Sequence, residues 1–176
     1  MNKPTKMLTR AGVIAALYVV LTFIVLPVAS GAIQFHPSEA LTVLPLLFAE
    51  SVPALFVGCL VANLIAGTAV QDIVFGALVS LLAALFTRAC RKMKGKWVKI
   101  AAGGIFPVVL NAFLLPLIWM WAYGALEFAY FAQVGLLLLS QGVVVYGLGI
   151  PLYLSMTKAQ ERFPAVFGYE NKNARG

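Results

Sequence analysis

Two acidic side chains stand where a carboxylate is hard to explain. Glu39 lies in the stretch FHPSEALTVLP, which also holds the only histidine, between two long apolar runs. Asp72 follows another apolar run, and no Lys or Arg occurs between Arg10 and Arg88. A carboxylate without a cationic partner is costly inside an apolar bundle, and such residues are candidates for function. Both acids are therefore candidates for binding a ligand that brings its own hydrogen-bond donors.

Each acid also has a purely structural interpretation. A carboxylate in the first turn of a helix is stabilised by the helix dipole by about 0.3–1 kcal/mol, and this would explain Glu39 equally well. Asp72 is placed to act as the N-cap of the next helix. An N-cap can also line a pocket, so the two interpretations of Asp72 are compatible.

Amides and aromatic residues in the second half of the chain also have both a structural and a ligand-binding interpretation. Asn111 and Gln141 lie inside apolar runs, where each either bonds to a neighbouring helix, worth about 1 kcal/mol, or contacts a ligand. Tyr123 closes a run that also contains Trp119 and Trp121, a pattern typical of an aromatic belt at the membrane interface. Stacking on a flat ligand is the second interpretation of these rings.

No sequence motif indicates catalysis. The chain has no G-x-S-x-G, no H-E-x-x-H and no phosphate-binding glycine loop. One histidine and two unclustered cysteines, Cys59 and Cys90, form no recognisable metal-binding pattern. We therefore expect neither an enzyme nor a cofactor, and any energy coupling must come from a partner protein.

The composition indicates an integral membrane protein. Of 176 residues, 62% are hydrophobic and only 11% charged, whereas a soluble domain carries about 25% charged residues. The net charge of +7 comes from three separate clusters, at residues 3–10, 88–99 and 158–175. Loops that keep Lys and Arg stay cytoplasmic, so the charge reflects membrane topology and predicts no nucleic-acid partner.

Placing all three basic clusters on one side requires an even number of spans between them. We predict an all-α bundle of six transmembrane helices (residues 11–157), with a cytoplasmic N-terminus (1–10) and a cytoplasmic tail (158–176). The first helix covers Ala11 to Ser30, and the second, SEALTVLPLLFA, is short for a span that usually needs about 20 residues. Four spans are the main competing topology. The other predicted helices are SVPALFVGCLVANLIAG, IVFGALVSLLAALFT, IAAGGIFPVVLNAFLLPLIWMW and FAQVGLLLLSQGVVVYGLGIPLYLSM.

This topology sorts the polar and small residues by side. The polar residues expected on the extracellular side are Gln34, His36, Glu39, Gln71, Asp72 and Glu127. At the cytoplasmic end of the first helix, Ala11 and Ala15 are four residues apart, as are Gly12 and Ala16. Small residues at this spacing let another backbone approach closely, either within the bundle or from a partner.

Two blocks of the sequence, SEALTVLP and DIVFG, carry a family resemblance that extends from Arg10 to about Thr157. The chain resembles the QueT family, the queuosine-precursor S-components (substrate-binding subunits) of energy-coupling factor (ECF) transporters. The resemblance implies a multi-pass protein in the plasma membrane of a prokaryote. It also implies partners: a transmembrane coupling subunit, docking at Ala11 and Ala15, and two ATPase subunits.

The substrate implied by the resemblance gives the polar residues specific roles. Queuosine precursors carry a 7-deazaguanine ring, whose N1–H and exocyclic amine point the same way, so Glu39 could accept both. Asp72 would bind an aminomethyl group, and Asn111 and Gln141 the carbonyl and ring nitrogens. Tyr123, Phe128 and Phe35 could stack on the ring, and Gln34 completes the predicted substrate-binding set. Alternatives are a subunit or permease for another vitamin, or a membrane assembly protein whose acids are only caps.

Overall fold

The computed structural model describes residues 2–29, 35–124 and 127–167, and these contain helices but no β-strand. Gln34 lies outside this range. The six predicted helical regions all contain helix, joined by short connections. In chain order the elements are α1 (Lys3–Ala29), a 3₁₀ helix (Pro37–Leu46), α2 (Ser51–Ala66), a π-helical turn (Asp72–Gly76) that leads into α3 (Ala77–Cys90), α4 (Lys96–Tyr123), α5 (Glu127–Gly142), a second π-helical turn (Val143–Leu148), α6 (Gly149–Arg162) and α7 (Pro164–Phe167).

Four helical runs in the described part of the chain are long and apolar enough to cross a membrane. These runs are Pro4–Val25, Asp72–Cys90, Lys96–Tyr123 and Ala129–Arg162. The helix α2 is apolar but has only 16 residues. Helical structure in α1 begins at Lys3, earlier than the predicted Ala11, because the basic N-terminal residues continue the same helix.

The 3₁₀ helix is the central element of the bundle. Its residues from Ser38 to Leu46 are all buried, and it contacts α1, α2, α3, α4 and α6. Leu41 and Leu44 join one apolar cluster with α1, α2 and α3. Val43 and Leu46 join a second cluster with α4 and α6. The short run SEALTVLPLLFA is therefore surrounded by other helices of the bundle along most of its length.

Close packing between α1 and α2 depends on Gly58. A Cβ atom at this position would lie 2.8 Å from the Cβ of Tyr18 and 3.2 Å from the carbonyl oxygen of Ala15. The glycine therefore lets the two backbones approach to a distance that any side chain would prevent. This contact places Tyr18 on the inner face of α1, beside the 3₁₀ helix.

An ion pair joins α1 to the beginning of α2. The Arg10 Nε donates to Glu50 Oε1 over 2.6 Å, and Arg10 Nη1 donates to the carbonyl oxygen of Phe167 over 2.7 Å. Glu50 is thus neutralised at one end of α2, whereas Ala66 lies at the other end of the same helix. Asp72, which lies near the Ala66 end, has no such ion pair among the described residues.

Candidate substrate-binding site

A cavity of about 470 Å³ lies between the helices at the end of the bundle that carries Ala66 and Tyr123. Its volume falls within the range of about 300–1,000 Å³ that is usual for small-molecule sites. Side chains from α1, the 3₁₀ helix, α2, the first π-helical turn, α3, α4 and α5 form its wall. The lining residues are Tyr18, Thr22, His36, Glu39, Cys59, Asn63, Ala66, Thr68, Asp72, Gly76, Ser80, Asn111, Leu115, Trp119, Tyr123, Leu137 and Gln141.

Glu39 is held in the cavity wall by uncharged donors. This residue is 6% exposed. The Tyr18 hydroxyl donates to Oε1 over 2.7 Å, and the Asn111 amide nitrogen donates to Oε2 over 3.0 Å. A carboxylate has about four lone-pair positions, so these two bonds leave one further acceptor position on each oxygen. Glu39 is therefore oriented, and it can still accept a pair of hydrogen bonds.

The backbone around Glu39 is fixed to α1 and to its own turn. The Thr22 hydroxyl, one helical turn after Tyr18, lies 3.0 Å from the Ser38 hydroxyl. The Thr42 hydroxyl donates to the carbonyl oxygen of Glu39 over 2.6 Å. Neighbouring side-chain bonds from α1 thus hold both residues of the Ser-Glu pair, and they set the direction in which the carboxylate points.

Asp72 occupies a second position in the same cavity. Its Oδ1 accepts a hydrogen bond of 3.2 Å from the indole N–H of Trp119, and its backbone oxygen accepts one of 3.2 Å from the side chain of Asn63. The expectation that Asp72 is an N-cap is wrong, because helical structure already begins at Val70 and the residue that precedes the π-helical turn is Gln71. Its carboxylate is directed to α4 and the cavity instead.

The mouth of the cavity is bordered by Tyr123. This residue is 61% exposed, and its hydroxyl oxygen accepts a hydrogen bond of 3.0 Å from the backbone N–H of Ala69. This bond ties the end of α4 to the connection after α2. Tyr123 therefore fits both interpretations that the sequence left open. Its ring is exposed at an end of the bundle, as in an aromatic belt, and it also lines the cavity, where it could stack on a ligand.

Most of the predicted set meets in this cavity. The members that line it are Glu39, Asp72, Asn111, Tyr123 and Gln141. The Asn111 amide nitrogen lies 3.5 Å from Gln141 Oε1, so the two amides adjoin next to Glu39. Phe35 is 39% exposed and is not among the lining residues, because the chain before the 3₁₀ helix directs it elsewhere.

The two predicted docking residues, Ala11 and Ala15, lie on α1 away from the cavity. Both are half-buried and pack against the cluster formed with α2 and α3, whereas Gly12 and Ala16 are exposed.

The cavity is also lined by Tyr18, Thr22, Trp119 and His36, none of which is in the predicted substrate-binding set. Tyr18 and Thr22 are four residues apart, one helical turn after Ile14, and all three are buried on one face of α1. That polar pair on an apolar helix was the available signal. His36 also lines the cavity, and burial lowers the pKa of its imidazole below the usual range. Burial thus disfavours the positively charged form of this imidazole.

The charge of the wall limits the ligand class. Among the residues that the structure describes, two carboxylates line the cavity and no Lys or Arg does. A wall of this kind suits a neutral or cationic molecule that is rich in hydrogen-bond donors, and it disfavours anions such as phosphorylated nucleotides. Apolar side chains from Leu115 and Leu137 complete the surface.

A family comparison identifies the chain. The model of a family described as QueT transporter matches residues 8–158. The chain belongs to the QueT transporter family. No curated protein and no solved structure matches it. Membership of the QueT transporter family indicates a transporter rather than an enzyme, and with four apolar helices of spanning length it fits a multi-pass membrane protein.

Proposed function

We propose that this chain is the S-component of an ECF transporter and captures a 7-deazaguanine-type queuosine precursor from outside the cell. The family supports a role in transport. The observation that carries the choice of substrate is the buried Glu39 carboxylate, which has no cationic partner in the cavity wall and keeps one acceptor position free on each oxygen.

The guanine-like edge of the ligand matches that pair of acceptor positions. The N1–H and the exocyclic amine are parallel donors, and a carboxylate accepts two parallel donors in a charge-assisted pair. Asn111 already donates to Glu39 and to Gln141, so the amide N–H that can bond to the ring carbonyl comes from Gln141, and the Asn111 carbonyl oxygen can accept from a ring N–H. The ring itself lies against apolar wall residues, with Trp119 and Tyr123 available for stacking.

Asp72 supplies the second point of recognition. Trp119 bonds to only one oxygen of the Asp72 carboxylate, and no Lys or Arg is found among the described residues that line the cavity. A protonated aminomethyl substituent would therefore find its counter-charge there. Two carboxylates in one cavity favour a base that combines a neutral donor edge with a cationic substituent over a base that has only one of these groups.

Transport requires partners. No phosphate-binding loop occurs in the chain, so the proposal assigns energy supply to two ATPase subunits and docking to a transmembrane coupling subunit. It also places the chain in the plasma membrane of a prokaryote as a six-span protein with both termini in the cytoplasm. Packing of small residues on α1 against the coupling subunit would bring the backbones into close contact.

The first test measures binding of queuine-type bases to purified protein with Glu39→Gln and Ser38→Ala variants. In Glu39→Gln, an amide N–H replaces one carboxylate oxygen and faces an N–H of the ligand, so one charge-assisted hydrogen bond is lost. Because hydrogen bonds to charged groups are worth about 1.5–3 kcal/mol, we expect affinity to fall about 10- to 100-fold. Ser38 is the matched comparison, because it is buried beside Glu39 but does not line the cavity. Ser38→Ala removes only the neutral bond to Thr22, so its loss of affinity should be clearly smaller than that of Glu39→Gln. Calorimetric titration gives both affinities.

Other outcomes distinguish the alternatives. Equal losses in the two variants would remove the argument for a bidentate contact at Glu39. Thermal stabilisation of the wild-type protein by a different vitamin, and by no deazapurine, would indicate another substrate for the same kind of subunit. No stabilisation by any small molecule would favour a membrane assembly protein.

A further inference from the structure

The connection between α3 and α4 carries the densest positive charge in the chain. Residues 91–98 are all exposed, and no acidic residue occurs from position 73 to position 126. We call residues 88–99 the basic loop. Its cationic members are Arg88, Arg91, Lys92, Lys94, Lys96 and Lys99.

Internal contacts account for only part of this charge. Arg88 donates from Nη1 to the carbonyl oxygen of Pro45 over 2.8 Å, and Lys96 Nζ lies 5.0 Å from the centre of the Trp97 ring. The ion pair found in the described part of the chain joins Arg10 to Glu50 and does not involve the basic loop. Most of its positive charge therefore faces outward without an acidic side chain to offset it.

The position of the basic loop indicates which kind of anion it could bind. It joins the candidate spans Asp72–Cys90 and Lys96–Tyr123, so only residues 91–95 separate two membrane helices. A connection this short lies at the boundary of the bilayer, whether that boundary is the cytoplasmic or the extracellular one. Met93 is 39% exposed and Trp97 59% exposed, and aromatic residues of this kind favour the level of the headgroups.

We propose that the basic loop is a binding surface for anionic phospholipid headgroups. At the boundary of the bilayer, the exposed cations of the loop would come within about a Debye length of lipid phosphates, and clusters of Lys and Arg next to a membrane helix bind anionic lipids through this attraction. An acidic protein surface offers the same charge but does not explain the exposed apolar side chains between the cations. The proposal requires neither a particular substrate nor a particular orientation in the membrane.

The test reconstitutes the protein in vesicles of phosphatidylglycerol and phosphatidylcholine in a ratio of about 1:3, at about physiological ionic strength. It then compares how much of each lipid the protein retains after purification. Native mass spectrometry counts each lipid on the purified full chain. We expect the wild type to retain phosphatidylglycerol well above its share of the vesicle. The double variant Lys92→Gln/Lys94→Gln should lower this enrichment at least about fivefold, and Lys92→Arg/Lys94→Arg should keep it.

A second basic pair gives the matched control. Lys158→Gln/Arg162→Gln removes the same charge next to Glu161, which already supplies an anion, so enrichment should change little. Enrichment should also fall as sodium chloride is raised. The proposal would be overturned by unchanged enrichment in Lys92→Gln/Lys94→Gln, or by lost enrichment in Lys92→Arg/Lys94→Arg. Either result would indicate that these cations are hydrated or bind a protein partner.

Free phosphate is the competing source of the same chemistry. Inorganic phosphate and sodium chloride, compared at equal ionic strength, should displace phosphatidylglycerol to the same extent. Selective displacement by phosphate would show a site for the free anion and would overturn the assignment to lipid headgroups.

Discussion

At the scale of single residues, a buried carboxylate is stabilised here without a cation. Glu39 accepts hydrogen bonds from a tyrosine hydroxyl and an amide, and both donors are neutral. Uncharged donors orient the carboxylate and leave its charge uncompensated. An incoming ligand that donates to the remaining lone pairs would therefore gain more from Glu39 than from a carboxylate already paired with Lys or Arg.

The predicted role of Asp72 is tested by the variant Asp72→Asn. Asparagine keeps the oxygen that accepts from Trp119 but loses the charge. We expect about 10- to 100-fold weaker binding of a base with a protonated aminomethyl group, and little change for the same base with an uncharged substituent. Parallel titrations of both ligands measure the difference. Gln71→Ala is the control, and equal losses for the two ligands would contradict a cation-binding role.

At the scale of elements, the contact between α1 and α2 positions the site. Tyr18 and Thr22 reach the 3₁₀ helix because Gly58 lets α1 approach α2 closely. The 3₁₀ helix in turn presents Glu39 to the cavity. Rigid helices thus hold the candidate binding residues more exactly than a loop could.

The variant Gly58→Ala tests this arrangement. The added methyl group would lie 2.8 Å from Tyr18 Cβ, and overpacking of this kind costs about 1–3 kcal/mol. We expect a melting temperature lower by several degrees, together with weaker ligand binding. Gly142→Ala is the control, because a Cβ at that glycine meets nothing within 4 Å. Equal melting temperatures for the two variants would show that the helices adjust without cost.

At the scale of the whole molecule, α1 has two faces with different surroundings. Ala11 and Ala15 face the bundle, where both pack against the core. Gly12, Val13 and Ala16 face outward. Small residues on an exposed face let a partner helix approach closely, so the geometry favours Gly12 and Ala16 as the contact for a coupling subunit. The docking assignment to Ala11 and Ala15 stays a prediction.

Uptake measurements separate the two pairs. Gly12→Leu/Ala16→Leu should reduce uptake of a labelled precursor at least about tenfold, in cells that also express the coupling and ATPase subunits, because the larger side chains keep the partner backbone away. Binding to the isolated subunit should be unchanged. Ala11→Leu/Ala15→Leu should lower thermal stability as well. Normal uptake in the Gly12/Ala16 variant would place the docking surface elsewhere.

Sequence patterns indicated the helical class and the membrane setting, and they singled out the two acids that line the cavity. Apolar runs and the absence of cations near Glu39 and Asp72 are properties of local sequence, so no three-dimensional information was needed to find them. The same patterns marked SEALTVLPLLFA as too short for an ordinary span. Its real character, a 3₁₀ helix buried on every side, follows from the helices that surround it.

Only the tertiary structure decided which residues share the cavity. Glu39 and Asn111 are 72 positions apart, and their contact depends on how α4 packs against the 3₁₀ helix. Tyr18 turns inward because Gly58 admits it, and Phe35 points away although it lies close to Glu39 in sequence. Composition and periodicity report which side of a helix is apolar. They do not report which neighbour meets that side, because helix packing is set by side chains distant in the chain.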